Sequence, residues 1–495
     1  MVLILTVLIF SGCGSSYDYV KINSSAEYEQ ETIFLQSLLV ESEQLQALKL
    51  KLIREEGESG TPVIAIDFFF TMGTKQETVQ EHILISSSVL VPREDALAAR
   101  TGTSLAACLD GKETLIPPTG IAPPFVALRV DGLALDDEAY PLIRKVWIEL
   151  RTEGNKKPSG KLIKKLPVLW EFLESTPKHL LLPKPEPIWI AAGGDLMLDR
   201  GASLILLREG PEGIFGKTAE TLASSDLSLV NLECVISSRG EKVQKSFNFR
   251  SDPEIAPTLR DAGINAVLHA NNHVYDYGGI AFLDSLSWLD KAGIGVVGAG
   301  TDDEAASEPF IFNRGDEIFR VFGLASFPRE RNGWDGVSAA AGPDRPGMLH
   351  SGRNGAEKLK AKIATGGDRA FNIILFHGGV EWSTRPDAST RALYTGLVEA
   401  GADLIIGSHP HIVQGFEWIM EKPVFWSLGN YVFGGMENTD GGEEGLFIRL
   451  GFLDGRLLYL EPFALTLTHT RTDISPPEKL ETFYARSREL QSCGK

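Results

Sequence analysis

The sequence predicts an α/β protein: a C-terminal α/β domain with helices covering its sheet, joined by a Pro-rich linker to a separate N-terminal α/β domain. Three observations carry this. Beyond residue 187, short apolar runs alternate with amphipathic stretches, as strands and helices packed in layers require. Pro177, Pro183, Pro185 and Pro187 stiffen residues 175–187 toward extended geometry and mark a boundary. The chain has 495 residues, 43% of them hydrophobic, which suits two or three domains with their own cores and excludes bulk disorder.

The chain opens with an apolar run, Val2 to Phe10, followed by Ser11, Gly12 and Cys13. That run is too short for a membrane-spanning helix, which needs about 20 residues, but it fits the apolar region of an export signal. Small residues before a Cys resemble the lipobox of bacterial lipoproteins, in which the Cys is acylated. Phe10 stands where Leu is usual, and no Lys or Arg precedes the run. Residues 1–13 are therefore expected to be a lipoprotein signal, with Cys13 anchoring an exported protein to a membrane on the extracytoplasmic side. No later run is long and apolar enough to cross a bilayer as a helix.

The N-terminal domain is expected over 26–174. Phe34, Leu38, Leu45, Leu48 and Leu52 recur at helical spacing between Ala26 and Glu56. Val63–Phe70, Ile83–Val91, Phe125–Asp131 and Val146–Leu150 read as strands around the Pro-rich passage Pro117–Pro124. No residue pattern in this half points to a chemistry.

The C-terminal domain is expected over 188–470. Its strands are Ile188–Ala192, Leu227–Val230, Ala266–Leu268, Phe371–Phe376, Asp403–Ile406 and Val424–Trp426. Ile280–Leu289 and Ser389–Glu399 read as helices, the second closed by Gly401. A helix over Pro477–Leu490 is expected in a C-terminal tail, 471–495.

Charge and cysteine content remove two function classes. A net charge of −18 argues against nucleic acid as a partner, which needs a basic face. Four Cys exclude a disulfide scaffold or a Cys-rich zinc site.

The strand ends are informative. In succession they carry Asp195, Glu233, Asn271-Asn272-His273, His377, and His409-Pro410-His411. Ligands of α/β sheets bind beyond the carboxyl ends of the strands, and Asp, Glu, Asn and His together suit divalent transition metals such as Mn, Zn or Fe. A two-metal site needs a bridging carboxylate with oxygen and imidazole ligands on either side. Glu233 is the natural bridge. Asp195 and His411 then complete one metal, and Asn272, His377 and His409 the other. His273 is left as a general acid or oxyanion donor, with Asp276 to orient its ring. Arg200 and Arg250 are candidate contacts to an anionic substrate, with a structural role equally open.

Gly194-Asp195-Leu196-Met197-Leu198, Asn231-Leu232-Glu233, Ala270-Asn271-Asn272-His273 with Asp276-Tyr277-Gly278, and Gly401-Ala402-Asp403 through His409-Pro410-His411-Ile412-Val413-Gln414 resemble the CapA family of poly-γ-glutamate capsule-synthesis proteins. So does Ser427-Leu428-Gly429-Asn430-Tyr431-Val432-Phe433. The resemblance covers roughly 188–470. It implies the calcineurin-like metallophosphatase superfamily, a four-layer α/β/β/α sandwich with a dinuclear site at the ligands named above. Two departures stand out. Met197 occupies the place of a usual His ligand, and Gly378-Gly379 stand where Trp is usual after His377, which predicts a wider cleft mouth.

Other motifs read as bland. Gly293-Ile294-Gly295-Val296-Val297-Gly298 matches a dinucleotide fingerprint but comes after a helix, so it is a helix-to-strand turn. His269 is expected to be a packed neighbour of the site, and His82, His179, His350 and His469 surface residues.

Three functions are compatible with this pattern. The first is an exported lipoprotein acting in synthesis, export or anchoring of an anionic polymer such as poly-γ-glutamate, within a capsule-synthesis complex. The second is a metal-dependent phosphoesterase on a phosphorylated envelope or nutrient substrate. The third is a ligand-binding lipoprotein with a vestigial metal site. If Cys13 is acylated, Cys13→Ser moves the protein from the membrane to the aqueous fraction. One acyl chain holds only marginally, so the multiply acylated form is implied. Unchanged fractionation contradicts the anchor.

Overall fold

The computed structural model describes residues 186–492, apart from 316, 331–332, 368–369, 437 and 454, together with the backbone of ten strands between Ile4 and Glu153. The chain divides near residue 187 into two compact units.

In the first unit, Leu50–Ile53, Asp18–Asn23, Ile4–Leu8, Val63–Thr74, Leu142–Glu153 and Ile83–Ser86 form one sheet in that order. Gly102–Thr103, Val126–Val130, Ser88–Val91 and Thr114–Ile116 form another. Three of the four expected strands are present, and the fourth, Ile83–Val91, is split into Ile83–Ser86 and Ser88–Val91, which belong to different sheets. The segment read as helix to Glu56 ends instead in a strand, where Leu50–Ile53 pairs in parallel with Asp18–Asn23; sheet pairing overrides helical spacing there. Ile4–Leu8, inside the expected export signal, pairs with Val63–Thr74. Cys13, His82, His179 and the linker 175–185 lie outside the described residues.

The second unit begins with β1 (Ile188–Leu196), α1 (Ala202–Phe215), α2 (Thr218–Ser224), β2 (Leu227–Leu232), α3 (Ile255–Asp261), β3 (Ala266–Leu268), α4 (Gly278–Lys291) and β4 (Gly295–Val297). It continues with α5 (Asp303–Ser307), β5 (Phe310–Arg314), β6 (Glu317–Ser326), α6 (Gly355–Ala364), β7 (Ala370–Gly378), α7 (Ala388–Glu399), β8 (Leu404–Ser408), β9 (Val413–Ile419) and β10 (Lys422–Leu428). The last elements are β11 (Asn430–Val432), β12 (Glu444–Leu453), β13 (Arg456–Thr468), β14 (Arg471–Ile474) and α8 (Leu480–Ser492).

Two sheets result. The first runs β4-β3-β2-β1-β12-β13-β14, with β11 added beside the end of β1; the second runs β5-β6-β7-β8-β10-β9. Strands alternate their side chains between faces, so each sheet needs cover on both. Ala191, Val230 and Val267 pack under Leu206, Phe215, Leu222, Leu259 and Leu289 of α1–α4. Ile374, Ile405, Val424 and Trp426 pack under Leu359, Ile363, Tyr394, Leu397 and Leu490 of α6–α8. Between the sheets, the Phe371 and Phe452 rings meet at 4.7 Å. The result is the α/β/β/α sandwich that the resemblance implied.

Several strands escaped the sequence reading: β5, β6, β9 and β11–β14. Polar residues interrupt the apolar runs of β6, β9, β12 and β13, and the fold pairs them. Buried Arg320 donates to the Lys362 and Ile363 carbonyls, Glu417 binds Arg391, and Arg449 lies over Trp189. The final residues are also integral. Strand β14 joins the first sheet, and α8 packs on β9, where the Phe416 N–H donates to Ser487 Oγ at 2.9 Å. The sequence Gly293–Gly298 turns out of α4 at Gly293 and then forms β4, so it is a helix-to-strand passage, with Gly293 and Gly298 at φ 70° and 77°. No helix among the described residues is long and apolar enough to cross a membrane.

One glycine decides where β1 lies. A Cβ on Gly194 would stand 2.0 Å from the Gly429 carbonyl oxygen, while Asp195 N–H donates to that same oxygen at 3.0 Å. Gly194→Ala therefore costs about 1–3 kcal/mol or more, as overpacking against backbone does. Gly279→Ala, whose Cβ meets nothing nearer than 3.9 Å, leaves stability unchanged or raised in a denaturant titration.

Candidate metal centre

The carboxyl ends of β1, β2, β3, β7 and β8 meet at one edge of the sandwich. Asp195 ends β1, Glu233 comes just after β2, Asn272 and His273 after β3, His377 lies in β7, and His409 and His411 come after β8. Asp195, Glu233 and His377 are fully buried, and Asn272, His273, His409 and His411 nearly so. His409 and His411 hold positive φ, 98° and 57°. That region is costly for residues with a side chain and persists where surrounding structure enforces it. Here it turns both rings inward around Pro410.

The structure draws the expected ligands into two adjoining groups. In one, His411 Nδ1 lies 3.2 Å from Asp195 Oδ2, and His411 Nε2 is 3.8 Å from Glu233 Oε1. In the other, His377 Nε2 is 3.0 Å from Asn272 Oδ1 and 3.0 Å from His409 Nδ1. Asp195, Glu233 and His377 each bring a ligand atom within 4.8 Å of one another. Beside them, His273 Nδ1 meets Asp276 Oδ2 at 2.6 Å, and its Nε2 is 3.8 Å from Glu233 Oε1.

Sequence reasoning missed the amides and charges that brace this set. Asn231 Nδ2 donates to Asp195 Oδ1 at 2.8 Å and to Glu233 Oε2 at 3.3 Å, and Asn271 Nδ2 in turn donates to Asn231 Oδ1. Asn430 Oδ1 accepts from His411 Nδ1 at 2.9 Å. Asn231, Asn271 and Asn430 stood inside the motifs that carried the resemblance, so a signal existed. Lys245 and Glu330, which hold Asn272 from two sides, lie in loops with no such signal.

Burial governs the protonation of the cluster. Desolvation, then the neighbouring Asp195 carboxylate, pushes the Glu233 carboxyl well above its usual range. Burial also opposes ionisation of Asp195, but the hydrogen bond and charge of His411 outweigh it and lower its carboxyl. Burial depresses His377 strongly and brings His409 down to about 3, with His411 adding to both. His273 is lowered by burial against the pull of Asp276. His411 is raised, because Asp195 overcomes its desolvation.

Two of these features fit a cation. Glu233 Oε1 is buried with no hydrogen-bond partner, a costly state for an acceptor. The imidazoles held neutral are in the form that binds metal. The donor set, carboxylate with imidazole and amide oxygen, suits a divalent transition ion.

The other expected residues take varied places. Met197 is buried in the core under the helices, so a packed side chain stands in the place of the usual His. A Cβ on Gly378 would stand 1.9 Å from the Ser326 carbonyl oxygen, so strand pairing requires glycine there, while a Cβ on Gly379 would meet nothing nearer than 3.7 Å. Trp382 covers His411 instead, ring to ring at 5.4 Å. Arg200, exposed at φ 52°, lies over Phe249, which stacks against His273 at 4.2 Å. The Arg250 guanidinium lies over Tyr277. His269 is buried against Phe282, and burial brings it down to about 4. His350, expected at the surface, is buried edge-on against Phe327, which also touches His377 and His409. His469 is exposed.

Residues 189–435 match the model of a family described as bacterial capsule synthesis protein PGA_cap. The chain belongs to this capsule synthesis family. It is 28% identical over 255 residues to the capsule biosynthesis protein CapA of Bacillus anthracis, covering 50% of this chain and 60% of that one. It is 26% identical to the PGA biosynthesis protein CapA of Bacillus subtilis, covering 48% and 62%. It is 29% identical to a "probable polyglutamine synthesis accessory protein" of Mycobacterium tuberculosis, covering 50% and 75%. The chain thus spans about six tenths of the length of the two CapA relatives. Among solved structures, a phosphatase of Mycoplasma pneumoniae aligns over 60% of this chain and 97% of its own at TM-score 0.37 and 13% identity, a likeness too loose to bear on activity.

Glu233 makes the site testable. Its folded pKa is raised, so the stability of the protonated form is present below about 4.5 and is lost as pH rises through the folded value. Glu233→Gln therefore raises the melting temperature of metal-free protein at neutral pH and abolishes the further rise on adding Mn²⁺. A variant that is still stabilised by Mn²⁺ contradicts the assignment.

Proposed function

We propose that this protein is an exported, lipid-anchored hydrolase of the capsule synthesis family, acting in the synthesis, export or anchoring of a poly-γ-glutamate-type polymer. The observation that carries the reading is the buried carboxylate–imidazole cluster, with its unpartnered Glu233 oxygen, inside the domain that matches the family.

Two divalent ions, one held by Asp195, Glu233 and His411 and the other by Glu233, Asn272, His377 and His409, would polarise an amide carbonyl or phosphoryl oxygen of the substrate. The chain's own groups handle the proton. His273 Nδ1–H donates to Asp276 Oδ2, which leaves Nε2 facing the cleft beside Glu233. A neutral ring in this tautomer holds no proton at Nε2, so it first takes one from the attacking water. It then returns that proton to the departing nitrogen or oxygen. Hydrolysis of a γ-amide this way consumes one water and yields a carboxylate and an amine. Arg200, one aromatic ring away from His273, supports an anionic polymer on the leaving-group side.

His273→Ala lowers turnover of poly-γ-glutamate about 10²–10⁴-fold, with Mn²⁺ or Zn²⁺ supplied, if it moves this proton. Simple phosphodiesters turn over weakly in wild type. Brisk phosphodiester hydrolysis that survives His273→Ala overturns both the role of His273 and the choice of polymer over phosphoester.

A further inference from the structure

Asn272 poses an orientation problem. A side-chain amide can serve a cation only through its oxygen, yet its two ends have nearly the same shape. A neighbour must decide which end faces the cleft. Glu330, in the loop after β6, has a carboxylate oxygen 3.3 Å from Asn272 Nδ2. A carboxylate only accepts, so it draws the NH₂ group outward and turns Oδ1 toward His377 Nε2, 3.0 Å away.

Lys245, from the loop between β2 and α3, holds the same residue from the other side. Its side chain is 1% exposed. Its ammonium donates to the Asn272 backbone carbonyl oxygen at 2.5 Å and to Asp276 Oδ1 at 2.9 Å, and pairs with Glu330 Oε1 at 3.2 Å. Three N–H donors meet three acceptors, which is what lets this cation be buried. Nζ also lies 4.3 Å from the centre of the Trp334 ring, on the Glu330 loop. One lysine thus ties a loop of the first sheet to a loop of the second, directly over the backbone of Asn272. The other Asp276 oxygen holds His273 Nδ1 and the Phe249 N–H, so the same contact fixes both Asn272 and the His273–Asp276 pair.

We propose that Lys245 and Glu330 are positioning residues that hold the Asn272 amide with its oxygen toward the cleft and thereby set the affinity of the cation that Asn272 serves. This rests on the metal reading of the cluster. Outer contacts of this kind typically change metal affinity 10–100-fold.

The test titrates Co²⁺ into the metal-stripped full chain, monitored by calorimetry and visible absorption. Glu330→Ala weakens the same binding event as Asn272→Ala, by about 10–100-fold, and alters its absorption. Glu330→Gln, whose carbonyl oxygen still accepts from Nδ2, recovers most of the loss. In the double variant with Asn272→Ala, Glu330→Ala adds nothing, because its effect runs through that amide. Lys245→Met, which leaves Glu330 in place, provides a second arm, and the melting temperature of each metal-free variant reports folding. Wild-type affinity in Glu330→Ala, or a loss that adds to that of Asn272→Ala, overturns the positioning role while leaving the metal reading intact. A wild-type chain that binds no Co²⁺ overturns both.

Discussion

The site is organised around a carboxylate that the fold leaves unsatisfied. Glu233 is fully buried, one of its oxygens has no hydrogen-bond partner, and a second buried carboxylate, Asp195, stands beside it. Taking an ionised carboxylate out of water without a partner costs several kcal/mol. A protein maintains such a state where a positive charge is to be received. The surrounding imidazoles fit that reading, since burial holds His377 and His409 neutral, with lone pairs available. The preference is thus built into the dielectric of the cleft as well as into the ligand types.

Holding that cluster in place draws on the whole sandwich. The parallel strands deliver Asp195, His377 and the residues after β2, β3 and β8 to one edge, and the helices outside each sheet fix the strands. The His409-Pro410-His411 turn is held in an unfavourable backbone conformation on both sides of the proline. Gly194 lets β1 pass against the Gly429 carbonyl oxygen, so that Asp195 reaches the centre. Asn231 and Asn271 then spread hydrogen bonds through the interior, one amide nitrogen reaching a single oxygen of each carboxylate and leaving Glu233 Oε1 without a partner. These backbone and amide contacts orient groups that metal attraction alone would not order.

Much of this was legible in the sequence, for physical reasons that differ by element. Strands buried on both faces read as short apolar runs, so β1, β2, β3, β7, β8 and β10 stood out, and the polar residues at their ends marked the site. Strands β6, β9, β12 and β13 were hidden because Arg320, Glu417, Arg449 and Glu461 break their apolar runs, and only the fold shows how those charges are accommodated. Lys245 and Glu330 could not be read at all: they come from loops far apart in sequence and acquire meaning only when both meet Asn272. The packing role of Gly378 was not legible because the closeness of the Ser326 carbonyl is a property of strand pairing, not of local sequence. The same holds for His350, which nothing in its neighbours marked as buried.

The most direct test of a metal at Glu233 is anomalous diffraction from crystals of the full chain purified without chelator, recorded at the Mn, Fe and Zn edges. An anomalous peak is expected about 2.0–2.2 Å from Glu233 Oε1, with Asp195, His377, His409 or His411 completing its coordination. A cleft without any anomalous peak, in which Glu233 Oε1 is instead satisfied by a protein hydrogen bond, would contradict it.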